Sequence, residues 1–190
     1  MRIIAGRYRG RVLQSFRGHE IRPTSDRLRE SLFNILQARV ERAAVWDAFA
    51  GTGALGLEAL SRGASHVVFT EKDRSALKIL KKNIEILNAG DLVEVIEADA
   101  VRWARSAGTH FDLVFVDPPY DFKLYLELAD AIRDSGVCGP ESLVVIEHSR
   151  RSQTASRLTE QLTPYRQVRQ GDTVISFFAG SEFSPPPQPK

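Results

Sequence analysis

With 190 residues, 43% of them hydrophobic, the chain can bury one ordinary core, and the expectation is a soluble globular protein. A single cysteine, Cys138, excludes an internal disulfide and points to a reducing compartment, while His19, His66, His110 and His148 are too scattered for a metal-ligand spacing, so no metal is expected. The net charge of +2 hides a basic end: residues 1–30 carry eight arginines against three carboxylates, a candidate polyanion contact whose plain alternative is a solvated arginine face.

The N-terminal "MRIIAGRYRGR" has no apolar core of signal-peptide length, and no run approaches the ~18 apolar residues of a membrane span. A cytoplasmic location without a membrane partner follows. Residues 2–16 alternate in "RIIAG" and "RVLQSF", which predicts a small β-hairpin. An amphipathic helix over 24–39 comes next, with Leu28, Leu32, Ile35 and Leu36 at helical spacing and Thr24, Ser25 or Asp26 as its cap.

From residue 45 strands alternate with helices. Strands are expected at 45–49, 66–71, 93–99, 111–117 and 142–148, with helices at 54–62, 73–88, 100–107, 121–135 and 152–162. Parallel strands need crossovers and bury both faces, so this order predicts a doubly wound, mostly parallel α/β sheet. "YRQVRQ" and "TVISFFA" flank Gly171-Asp172 and should close the sheet as an antiparallel hairpin. The organisation read from this is a basic extension over 1–40, a main domain over 41–180 and an unpacked proline-rich tail over 181–190.

Between the first strand and its helix stands "AGTGALG", with Gly51, Gly53 and Gly56 in the pattern G-x-G-x-x-G. Leu57 and Glu58 follow where a P-loop needs lysine and a hydroxyl, so a triphosphate site is excluded. Glu71, twenty residues beyond Gly51, suits the ribose diol of either NAD or S-adenosylmethionine. Asp47 would oppose a pyrophosphate but suit a sulfonium and an ammonium, and Asp99 is placed to accept from an adenine amine. Their structural alternatives are an aspartate binding the turn's amides and a helix cap. Phe49, Lys72 and Ala100 beside these residues, together with Asp117, complete the expected cofactor-binding set.

The fourth strand ends in Asp117-Pro118-Pro119-Tyr120. A base's exocyclic amine is a poor nucleophile because its lone pair is delocalised into the ring. A carboxylate and a backbone carbonyl accepting its two N–H bonds would orient it, the prolines would stiffen that backbone, and an aromatic ring would stack on the base. These four residues are the candidate catalytic set.

"DAFAGTGALGLEALSRGA", "EKD", "FVDPPY", "RIIAGRYRGR", "RPTSDRLRESLFNIL" and "GDTVISFF" resemble the RsmD-type 16S ribosomal RNA guanine-N2 methyltransferases over about residues 1–179. The resemblance implies a class I methyltransferase fold with strand order 3-2-1-4-5-7-6. It also implies methyl transfer from S-adenosylmethionine to a guanine N2 amine in 16S rRNA or the assembling small subunit. Arg7, Arg9, Arg11 and Arg22 are the candidate RNA contacts, and a monomer is expected. A DNA adenine-N6 methyltransferase shares Asp-Pro-Pro-Tyr, but the chain is short for a target-recognition insert. A nicotinamide oxidoreductase leaves that corner without purpose, and an RNA-binding module leaves the cofactor residues without one. Carbon-5 methylation needs a cysteine nucleophile, and Cys138 reads as part of a loop before the fifth strand.

Overall fold

The computed structural model describes residues 1–16, 23–119 and 121–183, apart from the side chains of residues 23–25. The chain divides into two compact units, Met1–Asp99 and Ala100–Lys190.

The first unit opens with one antiparallel bridge, Arg2 to Val12, supported by Ile3 N–H on the Arg11 carbonyl (3.0 Å) and Leu13 N–H on that of Met1 (2.9 Å). The expected hairpin is reduced to a bridged loop for a specific reason. Ala5 N–H, which would follow Ile3 N–H in the ladder, donates instead to the carboxylate of Glu58 at 3.1 Å, and Ile4 N–H, on the opposite edge, binds its other oxygen at 2.8 Å. These bonds tie the opening segment to Glu58 within the first unit. Helix α1 (Pro23–Leu36) begins ahead of Thr24, Ser25 and Asp26, so these lie in its first turn and do not cap it; proline's fixed φ suits a helix start.

Strand β1 (Ala44–Asp47), helix α2 (Ala54–Ser61), strand β2 (His66–Glu71), helix α3 (Arg74–Leu87) and strand β3 (Val93–Glu97) follow, with β2 parallel to both β1 and β3. β1 stops short of Phe49 because Ala50 already belongs to the turn, its carbonyl accepting from Gly53 N–H at 2.7 Å. Val67–Thr70 form an unbroken buried run, the pattern of a strand covered on both faces. Trp46, Phe69, Leu57, Leu60 and Leu80 fill this core.

The second unit holds α4 (Ala100–Ala104), β4 (Phe111–Val116), α5 (Tyr125–Ser135), β5 (Cys138–Ser149), α6 (Gln153–Gln161), β6 (Arg166–Gln170) and β7 (Thr173–Ala179). β4 and β5 run parallel, and β7 is antiparallel to both β5 and β6. β5 starts four residues earlier than the alternation suggested. Cys138 therefore lies in the strand, in register with Phe111, and not in a loop; burial pushes its thiol up to about 12 and leaves it inert. α5 starts later than expected because the Pro119 carbonyl takes Phe122 N–H at 2.9 Å, forming a turn ahead of the helix.

Gly180–Phe183 form a short 3-10 turn with Phe183 fully buried, edge-on to Phe178 at 5.9 Å between centroids. Of the tail expected from residue 181, residues 181–183 belong instead to this turn, anchored by Phe183, whose whole aromatic side chain is removed from water. Residues 184–190 lie outside the described residues. The strands are ordered β3-β2-β1-β4-β5-β7-β6, a mostly parallel sheet ending in the antiparallel hairpin expected around Gly171-Asp172.

Candidate active site

In the first unit the glycine turn links β1 to α2, and its three glycines serve different ends. Gly51 (φ 53°) and Gly53 (φ 87°) take left-handed backbone that other residues rarely adopt. A Cβ on Gly51 would meet nothing within 4 Å, whereas one on Gly56 would come 2.2 Å from the Phe69 ring. Gly56 thus lets α2 lie close on β2, while the backbone at Gly51 is open to a ligand.

Three carboxylates organise the same region. Asp47 is buried and its Oδ2 accepts from Gly56 N–H at 2.9 Å, the amide-binding role that was the alternative to a cofactor contact. Glu71 Oε2 accepts from Gly51 N–H at 2.8 Å, and its Oε1 accepts from Lys72 and Asp73 N–H, both at 2.8 Å. A carboxylate has about four acceptor positions, so one remains for a further donor. Lys72 Nζ lies 3.2 Å from Asp99 Oδ2, in an ion pair that water screens. Phe49 is half-buried in the turn, and Ala100 is buried at the head of α4.

This donor set fits an adenosyl cofactor with a positive centre. It offers open glycine backbone and carboxylate acceptors, and residues 57 and 58 supply no phosphate-binding cation.

The basic extension is pinned to α2. Arg7 and Tyr8 N–H donate to Ser61 O (2.8 Å) and Ser61 Oγ (3.0 Å). Arg62 Nε donates to Glu58 Oε1 at 2.7 Å. Arg7, Arg9 and Arg11 remain exposed, with the Arg7 guanidinium 4.7 Å above the Tyr8 ring. Arg22 lies outside the described residues.

In the second unit Asp117 follows the last residue of β4 and leads into Pro118 and Pro119; Tyr120 lies outside the described residues. Water reaches Asp117, yet the protein around it still raises its carboxyl, to about 6. On β5 the half-buried Glu147 is raised to about 8, by burial first and then by the charge of Asp117. The buried Tyr125 hydroxyl is raised by burial, by Asp117 and by Glu147. Beside Glu147, His148 Nδ1 bonds the Ser149 carbonyl (3.3 Å), which can only accept, so that nitrogen carries the proton and Nε2 accepts from Ser176 Oγ at 2.9 Å. Burial lowers the His148 pKa.

Some side chains that organise this region lie outside the candidate set. Glu58 stands inside the apolar run "ALGLEALS" and is fully buried; a charge in such a run was its available signal. Asn83 occupies the buried face of α3 beside Leu80, Ile84 and Leu87. It accepts from Gln14 N–H (2.7 Å) and donates to the carbonyls of Gln14 (3.1 Å) and Thr52 (2.8 Å), tying the extension to the glycine turn. Tyr125 read only as part of a helix. Among the described residues no cluster of His, Cys, Asp and Glu could hold a metal ion, and no helix is long and apolar enough to cross a membrane.

The sheet order, the glycine turn after β1 and the acidic ends of β1 and β2 define a methyltransferase of the class I, Rossmann-like fold. A family model described as conserved hypothetical protein 95 matches residues 1–179. Ribosomal RNA small subunit methyltransferase D of Escherichia coli (strain K12) is 42% identical over 147 residues, which is 77% of this chain and 74% of that protein. Its Haemophilus influenzae counterpart is 38% identical over 150 residues, covering 77% and 78%. The chain belongs to this family, the RsmD-type methyltransferases. Among solved structures, an Escherichia coli protein described as a methyltransferase, yhhF, superposes with a TM-score of 0.81 at 35% identity, over 94% of this chain and 97% of that one. A Thermus thermophilus 16S rRNA N2 methyltransferase in complex with AdoMet and guanosine shares the fold alone, at a TM-score of 0.68 and 22% identity, covering 86% and 44%.

Proposed function

We propose that this chain transfers a methyl group from S-adenosylmethionine to the exocyclic N2 amine of a guanine in 16S rRNA, acting as a monomer in the cytoplasm on the rRNA or the assembling small subunit. The observation that carries this reading is the Asp117-Pro118-Pro119 corner at the carboxyl end of β4, where a carboxylate and a stiffened backbone stand ready for the two hydrogens of an amine.

Bound S-adenosylmethionine supplies an electrophilic methyl group on a positively charged sulfur. Glu71 would accept from the ribose through its remaining lone pair and Asp99 from the adenine amine, and Asp47 holds the turn while adding negative charge that would suit a cationic centre. Phe49, Gly51, Gly53, Lys72 and Ala100 line the same set. Asp117 accepts one N–H of the guanine amine and a carbonyl near Pro118 accepts the other, which turns the nitrogen lone pair outward. Tyr120 stacks on the base. As the N–C bond formed and the methyl–sulfur bond broke, leaving a neutral thioether, the amine would become acidic and its proton would pass to Asp117, whose raised affinity suits it to accept. Arg7, Arg9, Arg11 and Arg22 hold the phosphate backbone.

Labelled S-adenosylmethionine supplied with rRNA, small subunits and DNA, followed by nucleoside analysis, tests the proposal. N2-methylguanosine in rRNA is the expected product. Label only as N6-methyladenosine in DNA would overturn it.

A further inference from the structure

We propose that Glu147 is a positioning residue for Asp117: the two carboxyl groups share a single proton, held by Glu147, so that Asp117 remains the anion that meets the amine. The inference rests on the role of Asp117 given above.

Strand register supplies the geometry. Val116 of β4 stands opposite Ile146 of the parallel β5, so Asp117, just past the end of β4, and Glu147 of β5 come next side by side; neighbouring strands lie about 4.8 Å apart. Tyr125, buried at the start of α5, feels the charge of both carboxylates, which makes the three groups one cluster. Two like charges so close and partly dry do not both ionise readily, and one proton is retained. Glu147 retains it: Asp117 is exposed, so water stabilises its anion, whereas Glu147 is half-buried, and burial together with the charge of Asp117 raises its carboxyl.

The remaining neighbours do not take over this role. β7 packs Ile175 opposite Glu147, and its segment TVISFFA contains no titratable side chain. His148 is committed to Ser149 and Ser176, while Asp112 and Glu141 lie toward the far ends of β4 and β5. Between the two midpoints the pair therefore carries one negative charge, located on Asp117. Above the upper midpoint a second anion repels Asp117 and competes for the amine's hydrogens, and transfer slows.

The test combines carboxyl-carbon NMR titration of the whole protein with single-turnover methyl transfer to rRNA across pH. In the wild type two carboxyls should titrate above the ordinary range. Glu147→Gln should remove the upper one and keep the lower. Asp117→Asn should lower the midpoint of Glu147, because the neighbouring charge is gone. The wild-type rate should fall several-fold as pH passes the upper midpoint, and Glu147→Gln should lose that fall. An upper midpoint unmoved in Asp117→Asn, or the same alkaline fall in Glu147→Gln, would overturn the proposal. If Glu147→Gln does not fold, the Asp117→Asn titration still decides the coupling. Absence of methyl transfer to any rRNA would count against the proposed function and leave the titration result standing.

Discussion

Glu71 Oε2 accepts the Gly51 N–H at 2.8 Å, so the acidic end of β2 and the glycine turn after β1 are one hydrogen-bonded unit although twenty residues separate them. Replacing Glu71 by alanine frees three backbone N–H groups as well as removing an acceptor for ribose. A loss of affinity for S-adenosylmethionine worth about 1.5–3 kcal/mol per charge-assisted bond is expected. The α3 cap survives, because Asp73 accepts from Ala76 N–H on its own. Calorimetry checks both parts; unchanged affinity would remove Glu71 from the cofactor site.

Glu58 is fully buried and binds Ile4 N–H, Ala5 N–H and the Arg62 guanidinium. Glu58→Ala leaves these donors without their acceptor, and the loss of one partner of a buried pair costs about 3–5 kcal/mol. Chemical denaturation should show a loss of that size, and amide exchange should accelerate at Ile4 and Ala5 beyond the global change. Protection unchanged at those two amides would contradict the pinning.

Exposed arginines that contact phosphate reveal themselves through salt. Replacing Arg7, Arg9 and Arg11 together by alanine should weaken RNA binding and flatten the slope of log affinity against log salt by up to about three phosphate equivalents. Cofactor affinity should stay put. An unaltered slope would return these residues to a solvated face.

Asp117→Asn keeps size and one acceptor oxygen but removes the charge that stabilises the developing cation. Single-turnover transfer at saturating RNA should drop by about 2–4 kcal/mol of barrier, two to three orders of magnitude. Asp117→Ala should be at least as damaging, with cofactor binding retained in both. A near-wild-type rate in Asp117→Ala would end the mechanism, and lost cofactor binding would reassign the residue to the cofactor site.

Asp117 and Glu147 are acids whose folded-state midpoints, about 6 and about 8, lie above the unfolded ones. The folded state therefore binds more protons than the unfolded state, and their contribution is full below about pH 4 and lost as pH rises through 8. Thermal unfolding of the Asp117→Asn, Glu147→Gln double variant should lack that part of the decline between about pH 4 and 8. Parallel curves for the two proteins would show that the pair is not linked to folding.

Much of the fold was legible because its signals are local. The apolar runs of β2 and β4, the glycines after β1 and the Gly171-Asp172 turn each report on backbone within a few residues, so β2 and α2 fall within a residue of expectation. The Asp117-Pro118-Pro119 corner proposed for the chemistry is likewise a run of consecutive residues. Tertiary structure decided the rest, because those outcomes depend on partners distant in sequence. Ala5 leaves the hairpin ladder because Glu58, more than fifty residues on, takes its hydrogen. Cys138 is a strand residue because Phe111 pairs with it, and Phe183 leaves the tail because the Phe178 ring receives it. No local pattern marks Glu147 as the neighbour of Asp117; thirty residues of chain separate them, and the parallel register of β4 and β5 places them side by side.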